Sequence, residues 1–243
     1  MKSTFEQFEI TPYMVFISKY YDFSITTITM YIGCAIVIVI GLFSLMIYKA
    51  TLIGNNWQNF GELFYEFFID LIIEQTGKPG ILFFPLIFVI FLFILILNVL
   101  GLVPLSFTVT GQVMITFSLA IILMIGITIF GFRVHGIKFV NLFIPSGIEA
   151  WLLPLLVFIE LMSYCLRPLS LAVRLFANML AGHILLHIVG GAAIYLFQYC
   201  YIGLLPWAFV CAFSLLEIGI AFLQAYVFSI LVVIYISNII YLH

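Results

Sequence analysis

The chain has 243 residues, of which 66% are hydrophobic and only 7% are charged, and its formal net charge is -2. A soluble domain carries about 25% charged residues, so this composition excludes an ordinary soluble protein and indicates a membrane protein. The small net charge excludes a protein that recruits nucleic acid or acidic substrates through a strong basic field.

Residues 1–23 are a mixed polar and aromatic segment, which we expect to form a tail on the outer side of the membrane. No basic segment with a short apolar run and a small-residue cleavage site opens the sequence, so we expect the mature chain to begin at or near Met1. The first membrane span is predicted at residues 24–48, because the apolar run there ends at Lys49.

Residues 60–76 have a different pattern from the spans. Acidic residues recur at every fourth position, at Glu62, Glu66, Asp70 and Glu74, with Phe, Leu and Ile between them. This spacing places the carboxylates on one helix face and predicts an amphipathic helix lying along the membrane surface. The sequence leaves open whether the acidic face is simply solvated or docks on a neighbouring protein.

Four apolar helical patterns follow, at residues 81–103, 112–131, 148–197 and 206–242. At 1.5 Å per residue the last two would reach roughly 75 Å and 55 Å, well beyond the ~30 Å hydrocarbon thickness. These helices are therefore either strongly tilted or broken, with Pro154 and Pro168 as candidate interruptions. The predicted fold is an all-α polytopic membrane protein with a single membrane domain, residues 1–243. It has about five membrane-embedded helices and one amphipathic interfacial helix, and its last two helices form a long tilted hairpin.

The basic residues of the connecting loops predict the orientation. The connection after the first span carries Lys49 and Lys78, and the connection after the third carries Arg133 and Lys138. The positive-inside rule places these loops on the matrix or cytoplasmic side. We therefore expect the N-terminus outside and the C-terminus inside.

The first long helix carries charges that are costly in hydrocarbon. Glu160, Arg167 and Arg174 are seven residues apart and fall on nearly one helix face, whereas His183 lies about half a revolution away from Arg174. His187 is one turn beyond His183, where it is either functional or a packing residue. Because arginine stays protonated, it requires a polar partner or a water-filled cavity, and it usually marks an ion pathway.

The last helix supplies Glu217 and Gln224, also seven residues apart. Histidine and glutamate can carry protons when their surroundings allow it, so His183 and Glu217 are a candidate proton-carrying pair. Arginine cannot relay a proton, and a permanent cation between two wet groups of titratable residues would stop protons leaking straight through. Glu160 either carries protons or only neutralises Arg167. Gln224 could join two helices, which is compatible with bracing Arg174.

At these residues the chain resembles subunit a of F-type ATP synthases, the stator subunit of the membrane sector. The matching motifs are Arg-Leu-Phe-Ala-Asn-Met-Leu-Ala-Gly-His at Arg174–His183 and Leu-Gln-Ala-Tyr-Val-Phe at Leu223–Phe228. Phe5–Pro12 also resembles the N-terminal segment of mitochondrial members. Together the motifs are highly specific, and the resemblance covers most of the chain.

The resemblance implies a role for most of the polar residues. Arg174 would face a carboxylate of the rotating c-ring as a charge barrier. The proton path would include His183, Glu217, His187, Asn178, Gln224 and Glu160. Protons would cross through two offset half-channels at the c-ring, with Glu160 ~21 Å along the helix on the inner side of Arg174 and His183 ~13 Å on the outer side. The resemblance gives Arg167 no role, because this position is uncharged in some members.

The resemblance also implies partners and a location. The chain would be a non-catalytic subunit that couples proton flow to rotation and ATP synthesis, without a cofactor or a metal. Its partners would be the c-ring, the peripheral stalk near the acidic helix, accessory membrane subunits, lipid and protons, and no nucleic acid. The expected location is the mitochondrial inner membrane, with the alphaproteobacterial plasma membrane as the alternative.

Two other classes of protein compete with this interpretation. A secondary transporter would need broken helices and a substrate cavity, and no repeat links the two halves of the chain. A haem-anchoring subunit would need a second axial histidine on a facing helix. His183 and His187 are on one helix, while His135 is in a loop and His243 is terminal.

Overall fold

The structure is a computed structural model that describes residues 10–15, 24–47, 54–103, 106–144, 151–199 and 204–241. Some predictions fall on residues outside these ranges. They concern most of the tail at residues 1–23, including part of the resemblance at Phe5–Pro12, the span ends at Tyr48, Ile148 and Leu242, and the loop residue Lys49.

The described residues form six α-helices and one short pair of strands. The helices are α1 Thr27–Ile47, α2 Asn56–Thr76, α3 Phe84–Leu102, α4 Val113–His135, α5 Leu153–Tyr199 and α6 Leu204–Ile240. The strands are β1 Pro12–Met14 and β2 Ile25–Thr26, and 3₁₀ turns occupy Lys78–Phe83, Val109–Gly111 and Gly136–Phe143.

Five of these helical segments are long enough and apolar enough to cross a membrane, namely Thr27–Ile47, Lys78–Leu102, Val113–Val140, Leu153–Tyr195 and Trp207–Ile240. Helix α2, which carries the acidic stripe, is not among them. The predicted class, an all-α polytopic membrane protein, is therefore confirmed. The observed helices differ from the predicted spans by a few residues at most ends.

The chain divides into two compact units, each assembled from separate stretches of sequence. Unit 1 comprises the described parts of residues 1–44, 92–113 and 175–226. Unit 2 comprises the described parts of residues 45–91, 114–174 and 227–243.

The strand pair belongs to unit 1 and was not predicted. Strands β1 and β2 are antiparallel, with Pro12 opposite Thr26 and Met14 opposite Ile25. The backbone N–H of Thr27 also donates to the carbonyl of Thr11 at 3.1 Å. The pair is too short to show the alternating pattern that identifies a strand in a sequence. It ties part of the predicted tail to the start of α1.

Helix α2 belongs to unit 2 and starts earlier than predicted. The Oδ1 of Asn55 accepts from the backbone N–H of Asn56 at 3.2 Å and caps the helix. The helix therefore begins at Asn56, four residues before the predicted start. Its C-terminal end is set by Gly77, whose φ of 64° is in the left-handed region that favours glycine. The acidic side chains are exposed, while Phe68 is buried with its ring 4.7 Å from that of Phe91. The predicted amphipathic character of this segment is therefore observed.

Helix α5 is unbroken over 47 residues, so proline does not interrupt it. Pro154 is in the first turn, where no backbone N–H is needed for helical bonding. Pro168 removes one internal hydrogen bond, yet the helix continues through it. At about 70 Å this helix is more than twice as long as the hydrocarbon core is thick, which leaves tilt rather than a break to accommodate it.

Hydrogen bonds join the C-terminal ends of α2, α4 and α6 in unit 2. The Oγ of Ser237 donates to the carbonyl of Gln75 at 2.7 Å, and the hydroxyl of Tyr241 donates to that of Thr76 at 3.1 Å. The Nε2 of His135 donates to the carbonyl of Ile239 at 2.7 Å. Last-turn carbonyls of a helix lack internal partners, and these side chains bond three of them.

Candidate functional site

A single helix positions most of the predicted site residues. Because α5 is unbroken, it carries Glu160, Arg167, Arg174, Asn178, His183 and His187 at fixed helical intervals. The first three belong to unit 2 and the last three to unit 1. Each unit therefore holds its own cluster of polar side chains within apolar helices.

In unit 1, α5 and α6 are joined by an amide–amide hydrogen bond. The Nδ2 of Asn178 donates to the Oε1 of Gln224 at 3.1 Å. Gln224 is only 1% exposed, so this bond offsets part of the cost of burying its amide. The structure thus supports the interpretation that Gln224 joins two helices through its side-chain amide.

Glu217 lies against the backbone of α5 at Gly182. A Cβ atom at Gly182 would collide with the Oε1 of Glu217 and would lie 2.9 Å from its Cδ. Glycine is therefore what allows the carboxylate, which is 6% exposed, to approach this close to the helix. Gly182 immediately precedes His183 in α5, so the carboxylate contacts the helix one residue before the second predicted proton carrier. Neither the Oε2 of Glu217 nor the Nε2 of His183 has a hydrogen-bond partner among the described residues.

Asn98 is a further polar residue of unit 1 that the sequence interpretation missed. It lies on α3, is 0% exposed, and donates from its Nδ2 to the carbonyl of Ala221 on α6 at 3.3 Å. Ala221 is one helical turn after Glu217 and nearly one turn before Gln224. The available signal was an amide side chain within the otherwise apolar run of α3.

We call Asn98, Asn178, His183, Glu217 and Gln224 the Glu217 cluster. Four of its buried atoms have no hydrogen-bond partner among the described residues: Asn98 Oδ1, His183 Nε2, Glu217 Oε2 and Gln224 Nε2. An unpaired buried polar atom costs about 1–3 kcal/mol, and most such atoms in native proteins bond to protein or water. Ordered water is the usual partner of buried polar atoms that protein groups leave unbonded.

The second cluster lies in unit 2 and consists of Glu160, Arg167 and Tyr235, with Tyr164 and Thr128 nearby. We call it the Arg167 cluster. The guanidinium of Arg167 is 3.6 Å from a carboxylate oxygen of Glu160 and lies over the ring of Tyr235, 5.8 Å from its centroid. Nearby, the hydroxyls of Tyr164 and Thr128 are 2.7 Å apart. Thr128 donates its proton to the carbonyl of Met124 at 2.6 Å, so Tyr164 is the donor in the bond between the hydroxyls.

Arg174 and His187 lie at the surface of the chain. Both side chains are exposed, and Arg174 makes no ion pair with a described residue of its own unit. A cation inside an apolar segment needs a partner or water, and the exposed side chain of Arg174 is open to either. The structure thus places Glu160 with Arg167 and joins Asn178 to Gln224. It leaves Arg174 and His187 outside both clusters.

Comparisons with known proteins identify the family of the chain. The sequence profile of the family described as "ATP synthase A chain" matches residues 27–237. ATP synthase subunit a of Dictyostelium discoideum is 69% identical over 244 residues, covering 100% of both chains. The proteins of the same name from Paramagnetospirillum magneticum and Chondrus crispus are each 39% identical, over 247 and 245 residues. The former match covers 100% of both chains, and the latter covers 99% of this chain and 97% of its relative. The chain therefore belongs to the ATP synthase A chain family, the family of subunit a in the membrane sector of F-type ATP synthases.

Proposed function

We propose that the chain forms two proton half-channels against a rotating c-ring and thereby couples proton flow to rotation and ATP synthesis. The observation that carries this proposal is the presence of two separate polar clusters, one in each unit. Along α5 one cluster precedes Arg174 and the other follows it. A single continuous pore would not need a permanent cation between its two polar segments along α5.

In this proposal the Glu217 cluster is the outer half-channel. Glu217, His183 and His187 take up protons from the outer side, while Asn178 and Gln224 supply fixed amide groups for water. The four buried unpaired atoms support this role, because a file of water would satisfy them and would also conduct protons. Each proton then neutralises a carboxylate of the c-ring, which can move on into the lipid.

Arg174 is the barrier between the two half-channels. Its guanidinium stays charged at any relevant pH and favours the ionised form of a c-ring carboxylate facing it. It also repels a hydrated proton, so the two half-channels do not connect directly. The exposure of Arg174 supports this role, since a residue that faces another subunit must lie at the surface of its own chain.

Glu160 is the proton acceptor of the inner half-channel. It takes one proton released from the c-ring side and passes it to water on the inner side, so its carboxylate is regenerated in each cycle. The subunit itself is non-catalytic, because ATP is made elsewhere in the complex. The acidic face of α2 lies near the peripheral stalk, and the complex is located in the mitochondrial inner membrane.

Accessibility from each side of the membrane tests the two half-channels. In a background with Cys34, Cys165, Cys200 and Cys211 replaced by serine, Ser163→Cys and His187→Cys would each be exposed to a membrane-impermeant thiol reagent. We expect Ser163→Cys to react only from the inner side and His187→Cys only from the outer side. Leu161→Cys, on a different face of α5, is the control and should react from neither side. Reaction of both test positions from the same side would contradict the proposal.

A further inference from the structure

Arg167 makes two contacts that favour one position of its guanidinium. Its Nη2 is 3.6 Å from the Oε1 of Glu160, two turns earlier on the same helix face. Its guanidinium carbon is 5.8 Å from the ring centroid of Tyr235, within the range of a cation–π contact. The side chain is thus held between a carboxylate on its own helix and an aromatic ring on α6.

The ring of Tyr235 is a rigid support. Tyr235 is only 9% exposed, and it lines a small apolar cavity together with Pro168 and Leu171 of α5 and Met124 of α4. A ring packed on several sides has little rotational freedom. Because the arginine stem is long and flexible, a fixed ring face beneath its head group limits the positions that the guanidinium can occupy.

Arg167 also borders a shallow groove on the surface of α5. The groove has a volume of about 460 Å³, and Ser163, Ser170 and apolar side chains line it together with Arg167. Glu160 offsets the charge of Arg167, so the groove has little electrostatic attraction for an anionic ligand. Most of the lining is apolar, and its polar groups are the two serine hydroxyls and the guanidinium, which is 3.6 Å from the Glu160 carboxylate.

A purely structural role explains the ion pair poorly. The Arg167 and Glu160 side chains remain 30% and 41% exposed, and ion pairs at this exposure contribute little to folding stability. Arg167 cannot be a proton carrier, because its guanidinium does not deprotonate. What remains is an effect on Glu160, which would otherwise sample several rotamers at the surface of the chain.

We propose that Arg167, supported by the ring of Tyr235, is a positioning residue that holds the Glu160 carboxylate beside the groove of α5, where it meets protons leaving the c-ring. This inference rests on the proposed function, in which Glu160 is the inner proton acceptor. It assigns roles to Arg167 and Tyr235, neither of which touches the proton.

The test uses the intact ATP synthase in membrane vesicles, with ATP-driven proton pumping measured per assembled complex. We expect Arg167→Gln to lower pumping about tenfold, because a mobile acceptor loses part of the 10²–10⁴-fold that a positioned group contributes. Arg167→Lys should restore part of the loss. Tyr235→Phe, which keeps the ring, should pump like the wild type, whereas Tyr235→Leu should behave like Arg167→Gln. Arg133→Gln is the matched arginine control and should leave pumping unchanged.

A double-mutant cycle separates positioning from a structural role. If Arg167 acts through Glu160, the Glu160→Gln/Arg167→Gln variant pumps no less than Glu160→Gln alone. Losses that multiply, or wild-type pumping by Arg167→Gln, would overturn the inference. If Arg167→Gln fails to assemble, Tyr235→Leu tests the same claim, and wild-type pumping by that variant would overturn it. Retained pumping by Arg174→Gln would refute the proposed function instead.

Discussion

The contact between Glu217 and Gly182 predicts that adding one methyl group will impair proton transport without unfolding the protein. In Gly182→Ala the new Cβ would collide with the Oε1 of Glu217 and lie 2.9 Å from its Cδ, whereas ordinary contacts begin at 3.4 Å. The Cδ must therefore move by about 0.5 Å, the difference between these two distances, and the carboxylate oxygen must move further. The carboxylate would leave its position against the backbone of α5 at Gly182.

The expected cost in stability is small. The colliding atoms are at the far end of a flexible side chain, so a shift to a less favourable rotamer costs about 0.5–1.5 kcal/mol. Alanine in place of glycine inside a helix stabilises the folded protein by about 0.5–1 kcal/mol. The two effects nearly cancel, so the thermal stability of the assembled complex should change little. Proton transport should fall about tenfold or more, because a displaced proton carrier loses much of its contribution.

The assay is ATP-driven proton pumping in membrane vesicles, normalised to the amount of assembled complex. Gly190→Ala is the matched control, since it lies on the same helix and a Cβ there would have no described atom within 4 Å. The Gly182→Ala/Glu217→Asp variant should recover part of the activity, because the shorter side chain relieves the collision. Equal pumping by Gly182→Ala and Gly190→Ala would show that the position of the Glu217 carboxylate against Gly182 does not matter for proton transport.

Three further predictions concern other contacts. Asn98→Leu should lower proton pumping severalfold while leaving stability within about 1 kcal/mol, because a similar-sized apolar group replaces a poorly satisfied buried amide. Proton pumping and thermal unfolding are the measurements, and unchanged pumping would contradict this prediction. Asn178→Leu and Gln224→Leu should show a coupling of about 1 kcal/mol in a double-mutant cycle on unfolding, whereas additive effects would show that their hydrogen bond does not matter. Tyr241→Phe should destabilise the complex by about 1 kcal/mol through loss of its bond to the α2 end, and Tyr65→Phe should not.

Much of the fold follows from local patterns in the sequence. Long apolar runs identify membrane-spanning helices because the hydrocarbon core sets their minimum length. The four-residue spacing of the acidic side chains identifies α2, since this spacing marks one face of a helix. The seven-residue spacing of Glu160 and Arg167 likewise places them on one face, and the structure shows an ion pair between them.

The parts that sequence reasoning missed depend on contacts between elements distant in the chain. The hydrogen bond between Asn98 and Ala221 joins residues 123 positions apart, and nothing in either segment specifies the other. The approach of Glu217 to Gly182 depends on which faces of α5 and α6 meet, and periodicity alone does not fix this. The early start of α2 at Asn56 was a missed local signal, because the preceding Asn55 is a preferred N-cap residue.

In the proposed function Arg174 separates two proton half-channels. Proton pumping by an Arg174→Ala variant is the decisive test of this role. The measurement is ATP-driven acidification of membrane vesicles, with equal amounts of assembled complex and Arg133→Ala as the arginine control. We expect Arg174→Ala to abolish coupled pumping, whereas Arg133→Ala should pump normally. Retained pumping by Arg174→Ala would contradict this role.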